Sequence, residues 1–96
     1  MIRRFERIEK IKKEVAKKWG YLVSDLEGPG RGKMLVYARH EAMYRVRKEL
    51  PFSYPEIAHF FGRRDHTTII YAVRTFEKKK EEIEKLHLSD GDSSNS

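Results

Sequence analysis

Residues Ser53–Ala72 read SYPEIAHFFGRRDHTTIIYA, and the architecture of the whole chain turns on this stretch. Ser53 followed by Glu56 has the spacing of a capping box, in which a hydroxyl and a carboxylate satisfy free N–H groups at a helix start. Pro55 falls in the first turn, where its missing N–H costs nothing. Ile57, Ala58, Phe60 and Phe61 form an apolar face, and Gly62 follows where a helix end favours a left-handed residue. Arg63 and Arg64 complete a short turn. Arg64 or Asp65 then opens a second helix, whose Ile69, Val73, Phe76 and Ile83 keep helical spacing.

A short helix, a Gly-containing turn and a longer helix make a helix-turn-helix pattern. The tip of its second helix carries Arg64, Asp65, His66, Thr67 and Thr68. In such motifs that tip enters the DNA major groove. Arginine suits phosphate or guanine, aspartate accepts from a cytosine amino group, and threonine methyls meet thymine. The plainer reading is a solvated first turn capped by Asp65.

Working outward, the preceding segment Leu35–Leu50 places Leu35, Ala38, Ala42, Met43, Val46 and Leu50 at core spacing, and Pro51 ends it. From Arg31 to Lys48 the cations Arg31, Lys33, Arg39, Arg45, Arg47 and Lys48 face a single acid, Glu41. This local excess is nearly the whole net charge of +6 and suits an anionic partner. The loop Glu27–Lys33, EGPGRGK, superficially resembles a phosphate-binding loop. Its first required glycine would fall on Glu27, and Met34 stands where a magnesium-holding hydroxyl belongs, so nucleotide binding is rejected. At the N-terminus Phe5, Ile8, Ile11, Val15 and Trp19 mark an amphipathic helix over residues 3–18, with lysine, arginine and glutamate on its other face and Gly20 as its stop. Ser24–Leu26 reads as a short capped turn with Leu22 and Leu26 pointing inward. The segment Glu77–Leu86 is charge-balanced, and Leu88–Ser96 is a polar tail expected to be disordered.

The residues also carry a resemblance. GRRDHTTIIYA is similar to the signature of the C-terminal DNA-binding domain of the bacterial replication initiator DnaA, usually GGRDHTT followed by apolar residues. AMYRVRKELPFSYPEIAHFFG resembles the family's AMYLxRELxxxSYPEIGxxFG, and VAKKWGYLVSDL resembles the domain's first helix and the turn after it. Roughly residues 8–80 are covered. The resemblance implies an all-α bundle of four to five helices, Trp-repressor-like, over residues 1–87. It implies sequence-specific duplex DNA binding at a site like the asymmetric nine-base DnaA box, by a monomer. It places Asp65, His66, Thr67, Thr68 and Pro55 at bases in the major groove, with Tyr54 beside Pro55. Arg31 would insert into the minor groove, where narrow A·T tracts attract arginine. Lys33, Arg39, His40, Arg47, Lys48, Arg63 and Arg64 would hold the backbone, and Tyr71 stands where the family often has histidine. Arg63 replaces a family glycine. If that position has positive φ, arginine costs about 1 kcal/mol there; otherwise it is one more phosphate donor. Arg45 replaces an apolar family residue.

Composition excludes several other classes. There is no cysteine, hence no disulfide framework or thiolate metal site. No apolar run is long enough to span a bilayer, and the charged N-terminus has no signal-peptide core. A cytoplasmic, nucleoid-associated protein without cofactor, metal or membrane partner follows. An enzyme, such as a small nuclease using Asp65 and His66, lacks the clustered carboxylates that metal-dependent cleavage needs. The chain holds no ATPase. It is either a fragment of a longer initiator or a free-standing relative acting on an origin or a promoter; Met1 directly before the first helix and the polar tail lean toward the latter.

Overall fold

The computed structural model describes the backbone of residues 2–92 and the side chains of residues 5–86. Among them are five helices and no strand: α1 Ile2–Trp19, α2 Val23–Glu27, α3 Lys33–Glu49, α4 Tyr54–Phe60 and α5 Thr67–Asp92. The all-α bundle expected from the sequence is thus the fold. Helix α3 lies at its centre and touches each of the other four. Ile8, Ile11 and Val15 of α1, Leu26 of α2, Ala38, Ala42, Met43 and Val46 of α3, Ile57 and Ala58 of α4, and Ile69 and Ala72 of α5 make one continuous core.

The local signals act as the sequence suggests. Ser53 Oγ accepts from the Glu56 N–H at 3.3 Å, and Glu56 Oε1 accepts from the Ser53 N–H at 2.8 Å, closing the capping box of α4. Helices α1 and α4 end in the same way. Gly20 has φ 81° and Gly62 has φ 69°. In each case the glycine N–H and the next N–H fold back on the last turn: Gly20 to Lys17 and Tyr21 to Ala16, Gly62 to His59 and Arg63 to Ala58. These paired bonds satisfy carbonyls that the helix itself leaves open. Arg63 has negative φ, so replacing the family's second glycine introduces no backbone strain.

Four expectations change. Helix α5 starts at Thr67 rather than at Arg64 or Asp65, because residues 65–66 form a tighter lead-in turn in which Thr68 N–H bonds to the Asp65 carbonyl. Leu22 does not point inward: it is 69% exposed, since its backbone is extended ahead of α2 and the helical step to Leu26 does not apply. Helix α5 continues to Asp92, past the boundary drawn at residue 88, with no breaker before Gly91; the rest of the expected tail, 93–96, lies outside the described residues. Finally, α1 does not present all its cations to water. Lys12 is 1% exposed.

Lys12 is buried because its partners lie on three elements. Its ammonium donates to Glu27 Oε2 at 2.7 Å at the end of α2 and to the Phe60 carbonyl of α4, and a weaker 3.5 Å bond reaches Glu9. It also sits 4.8 Å from the centre of the Phe61 ring. A buried ammonium without such partners would cost several kcal/mol. Elsewhere in the bundle Glu41, 4% exposed, accepts from Lys18 and from Trp19 Nε1, and Lys18 continues to Glu84. Polar pins therefore join α1, α3 and α5.

Candidate nucleic-acid interface

The tip of the helix-turn-helix faces solvent. Arg64, Asp65, His66, Thr67 and Thr68 are all exposed, and the next residue, Ile69, is fully buried. The tip is thus polar, open and anchored directly behind by the core. Asp65 Oδ1 accepts from the Thr67 N–H at 2.9 Å. Hydrogen bonds from the Thr67 side chain and backbone, aided by the charge of His66, hold its carboxyl below the usual range. Asp65 is therefore an exposed anion held in place by its bond to Thr67. Pro55 is exposed at the start of α4.

Arg47 is exposed but not floppy. Its Nη1 donates to the Phe52 carbonyl at 2.8 Å, and its guanidinium lies 4.3 Å from the centre of the Tyr54 ring. Stacking leaves other N–H groups free while limiting the rotamers they leave from. Lys48 is exposed one residue on. Arg31 and Lys33 are exposed on either side of Gly32, where α3 begins without a side-chain cap and with no acid in its first turn. Open N–H groups and adjacent cations make that end receptive to an anion.

Three of the expected phosphate contacts are engaged elsewhere or uncharged. Arg39 is 8% exposed; its Nε donates to the Leu26 carbonyl at 2.9 Å and its Nη2 to that of Asp25 at 3.0 Å. Burial and the neighbouring charge of Arg63 lower its guanidinium below its ordinary value. Arg63 donates from Nη1 to the carbonyls of Glu27 (2.9 Å) and Phe61 (3.2 Å), and from Nη2 to that of Gly28 (2.9 Å). The resemblance put both on the DNA face, but in the fold the open carbonyls at the end of α2 hold them. Arg45 is also occupied, with ion pairs of 2.9 Å to Glu14 and 3.0 Å to Glu49.

His40 is the third. It is half-buried, its Nδ1 has no hydrogen-bond partner, and its ring meets the edge of Tyr71 at 6.0 Å. Burial, reinforced by the charge of Arg39, lowers its pKa from 6.5 to about 4. At neutral pH it adds no charge to the surface. Above pH 6.5 the ring is neutral in both folded and unfolded chains, so its titration carries no penalty. As pH falls toward 4 the unfolded chain takes up a proton and the folded one does not. Stability is therefore expected to decline between pH 6.5 and 4 through this group, and His40→Gln should flatten that part of the curve. Urea denaturation at a series of pH values measures it; an equal decline in the variant would remove His40 as the source.

Some interface candidates were missed at the sequence level. Tyr71, 65% exposed, lines a shallow groove of about 350 Å³ along α5 with Thr67, Ile70, Arg74, Thr75 and Lys78. The signal was available: 67, 71, 74 and 78 step by four, three and four, one face of a helix whose other face is core. Among the described residues there is no group of three or more His, Asp or Glu placed to hold a metal. No described helix is long and apolar enough to cross a membrane.

Residues 8–75 match the family described as the bacterial dnaA protein helix-turn-helix. The chain belongs to this family. Among its relatives, the chromosomal replication initiator protein DnaA of Lactococcus lactis is 46% identical over 72 residues, covering 75% of this chain. Those of Magnetococcus marinus and Mycoplasma capricolum are 42% identical over 73 residues and 41% over 81 residues, covering 76% and 81% of it. The chain spans only 16–18% of the length of these three DnaA relatives. The match takes in the whole of α2, α3 and α4, the helix-turn-helix turn and the exposed tip of α5.

Proposed function

We propose that this domain of the DnaA family binds duplex DNA sequence-specifically, at a site like the DnaA box, as an origin-binding or regulatory module without catalytic activity of its own. The observation that carries this reading is the tip of α5: five consecutive exposed polar residues backed immediately by the buried Ile69. The tip enters the major groove, where Asp65, His66 and Thr67 read base edges, Thr68 adds a further contact and Pro55 meets thymine methyls. The loop carrying Arg31 reads the adjacent minor groove. Arg47, Lys48, Lys33 and Arg64 hold the backbone. The relatives carry the name of a replication initiator; this chain supplies the share of that work that recognition of the site requires. One domain bound as a monomer suffices for an asymmetric site.

Fluorescence anisotropy with the box duplex and a scrambled duplex tests the reading. Wild type is expected to prefer the box. Thr67→Ala and Asp65→Asn should each reduce that preference by about 1–3 kcal/mol, confined to the base pairs that each side chain faces. Equal binding of both duplexes by the wild type would refute sequence reading.

A further inference from the structure

The end of α2 is held in an unusual way. Its last carbonyls are each taken by a guanidinium: Asp25 and Leu26 by Arg39, Glu27 and Gly28 by Arg63. Arg39 is on the central helix. Arg63 is in the turn of the helix-turn-helix, and the same Nη1 that reaches Glu27 also reaches Phe61 in that turn. A single side chain thus ties the stem of the basic loop to the corner from which the recognition helix departs.

Building on the DNA-binding reading above, we propose that Arg63 is a positioning residue for the loop. By fixing Glu27 and Gly28 against the turn, it sets where Arg31 stands relative to the tip of α5. Arg31 is three residue steps beyond Gly28, so the chain reaches at most about 10 Å from the clamped residue. On the way to Arg31 the loop passes close to α3, where a Cβ on Gly30 would lie 2.6 Å from a Leu35 methyl. With its stem held at Gly28 and its other end running into α3 at Lys33, Arg31 meets the minor groove in register with the major-groove contacts, and less ordering remains to be done on binding. Without the clamp the Gly-Pro-Gly stem would leave Arg31 to find its groove by diffusion of the loop.

The test is a double-mutant cycle on the intact chain, read by anisotropy on the box duplex. Arg63→Gly restores the residue usual in the family and Arg31→Ala removes the reading group. Each alone is expected to weaken binding about ten-fold, and the double variant to be within about two-fold of Arg31→Ala, because Arg63 acts through Arg31. Arg63→Lys keeps the charge but lacks the planar fork whose two ends reach the Glu27 and Gly28 carbonyls separately, and is expected to match Arg63→Gly. A phosphate contact would behave differently: the losses would multiply, and lysine would recover most of the affinity. Multiplied losses, recovery by lysine, or no loss at all would each overturn the proposal. Thermal melts by circular dichroism accompany the cycle; if both Arg63 variants unfold, the residue is needed for folding and the positioning role is overturned. A wild type that binds box and scrambled duplexes equally defeats the DNA-reading proposal first, and this one with it.

Discussion

Raising the salt from 50 to 200 mM is expected to weaken binding to the box duplex about 500-fold. The reasoning runs through which cations remain free. Arg31, Lys33, Arg47, Lys48 and Arg64 are exposed and carry no ion pair among the described residues. Each neutralised phosphate contributes about −0.9 to the log–log slope, so five give about −4.5, and a four-fold rise in salt gives the stated loss. Sequence alone suggested about six contacts and a slope near −5, counting Arg39 and Arg63, which the fold uses internally. Arg47→Ala should make the slope shallower by about 0.9. Arg45→Gln should leave it unchanged, because Arg45 is already paired with Glu14 and Glu49. Anisotropy titrations over that salt range measure both. A wild-type slope shallower than about −2 would contradict a face of five phosphate contacts.

Phe61→Ala is expected to cost about 3–5 kcal/mol of stability, the usual range for emptying a buried aromatic site. Phe61 is fully buried at the end of α4, next to the glycine that makes the turn and under the Lys12 ammonium. Its removal leaves a cavity behind the helix-turn-helix and takes away one wall of the site that makes a buried lysine tolerable. A domain of this size has about 5–15 kcal/mol in total, so the loss is a large share of it. Urea denaturation followed by circular dichroism gives the number. Tyr71→Ala on the exposed face of α5 is the control, expected within about 0.5 kcal/mol of wild type. A loss below 1 kcal/mol for Phe61→Ala would mean that this corner is not packed as described.

The parts of the fold that were legible in the sequence depend on near neighbours. The capping box at Ser53 and Glu56, the two glycine-terminated helices and the apolar steps along α3 and α5 are set within a few residues. The exposed tip at residues 64–68 was legible for the same reason, and the resemblance to the initiator family added roles that spacing could not. What was not legible depends on partners far along the chain. Arg63 meets Glu27 across 36 positions and Lys12 meets Phe60 across 48. Helical spacing gives the angle at which a side chain leaves its axis, but not whether another helix presents open carbonyls there. Arg39 and Arg63, expected to grip phosphates, illustrate this point: both bond backbone carbonyls in the fold, and a run of cations in sequence shows how much charge is near the DNA face, not which charges the fold already uses. Leu22 failed for a local reason: it is the extended residue ahead of α2 and points to solvent, whereas Leu26 within the helix is buried.

Lys12 carries a practical warning for anyone redesigning the surface of this domain. Protocols that improve solubility or reduce nonspecific adhesion exchange lysines by residue type, and by type Lys12 is no different from Lys10 and Lys13, although helical spacing puts it on the buried face with Ile8 and Val15. Swapping it for glutamate would set a buried carboxylate against those of Glu27 and Glu9 and strand a carbonyl at the end of α4. A library of recharged variants should therefore tolerate changes at positions 10 and 13 and be depleted at 12.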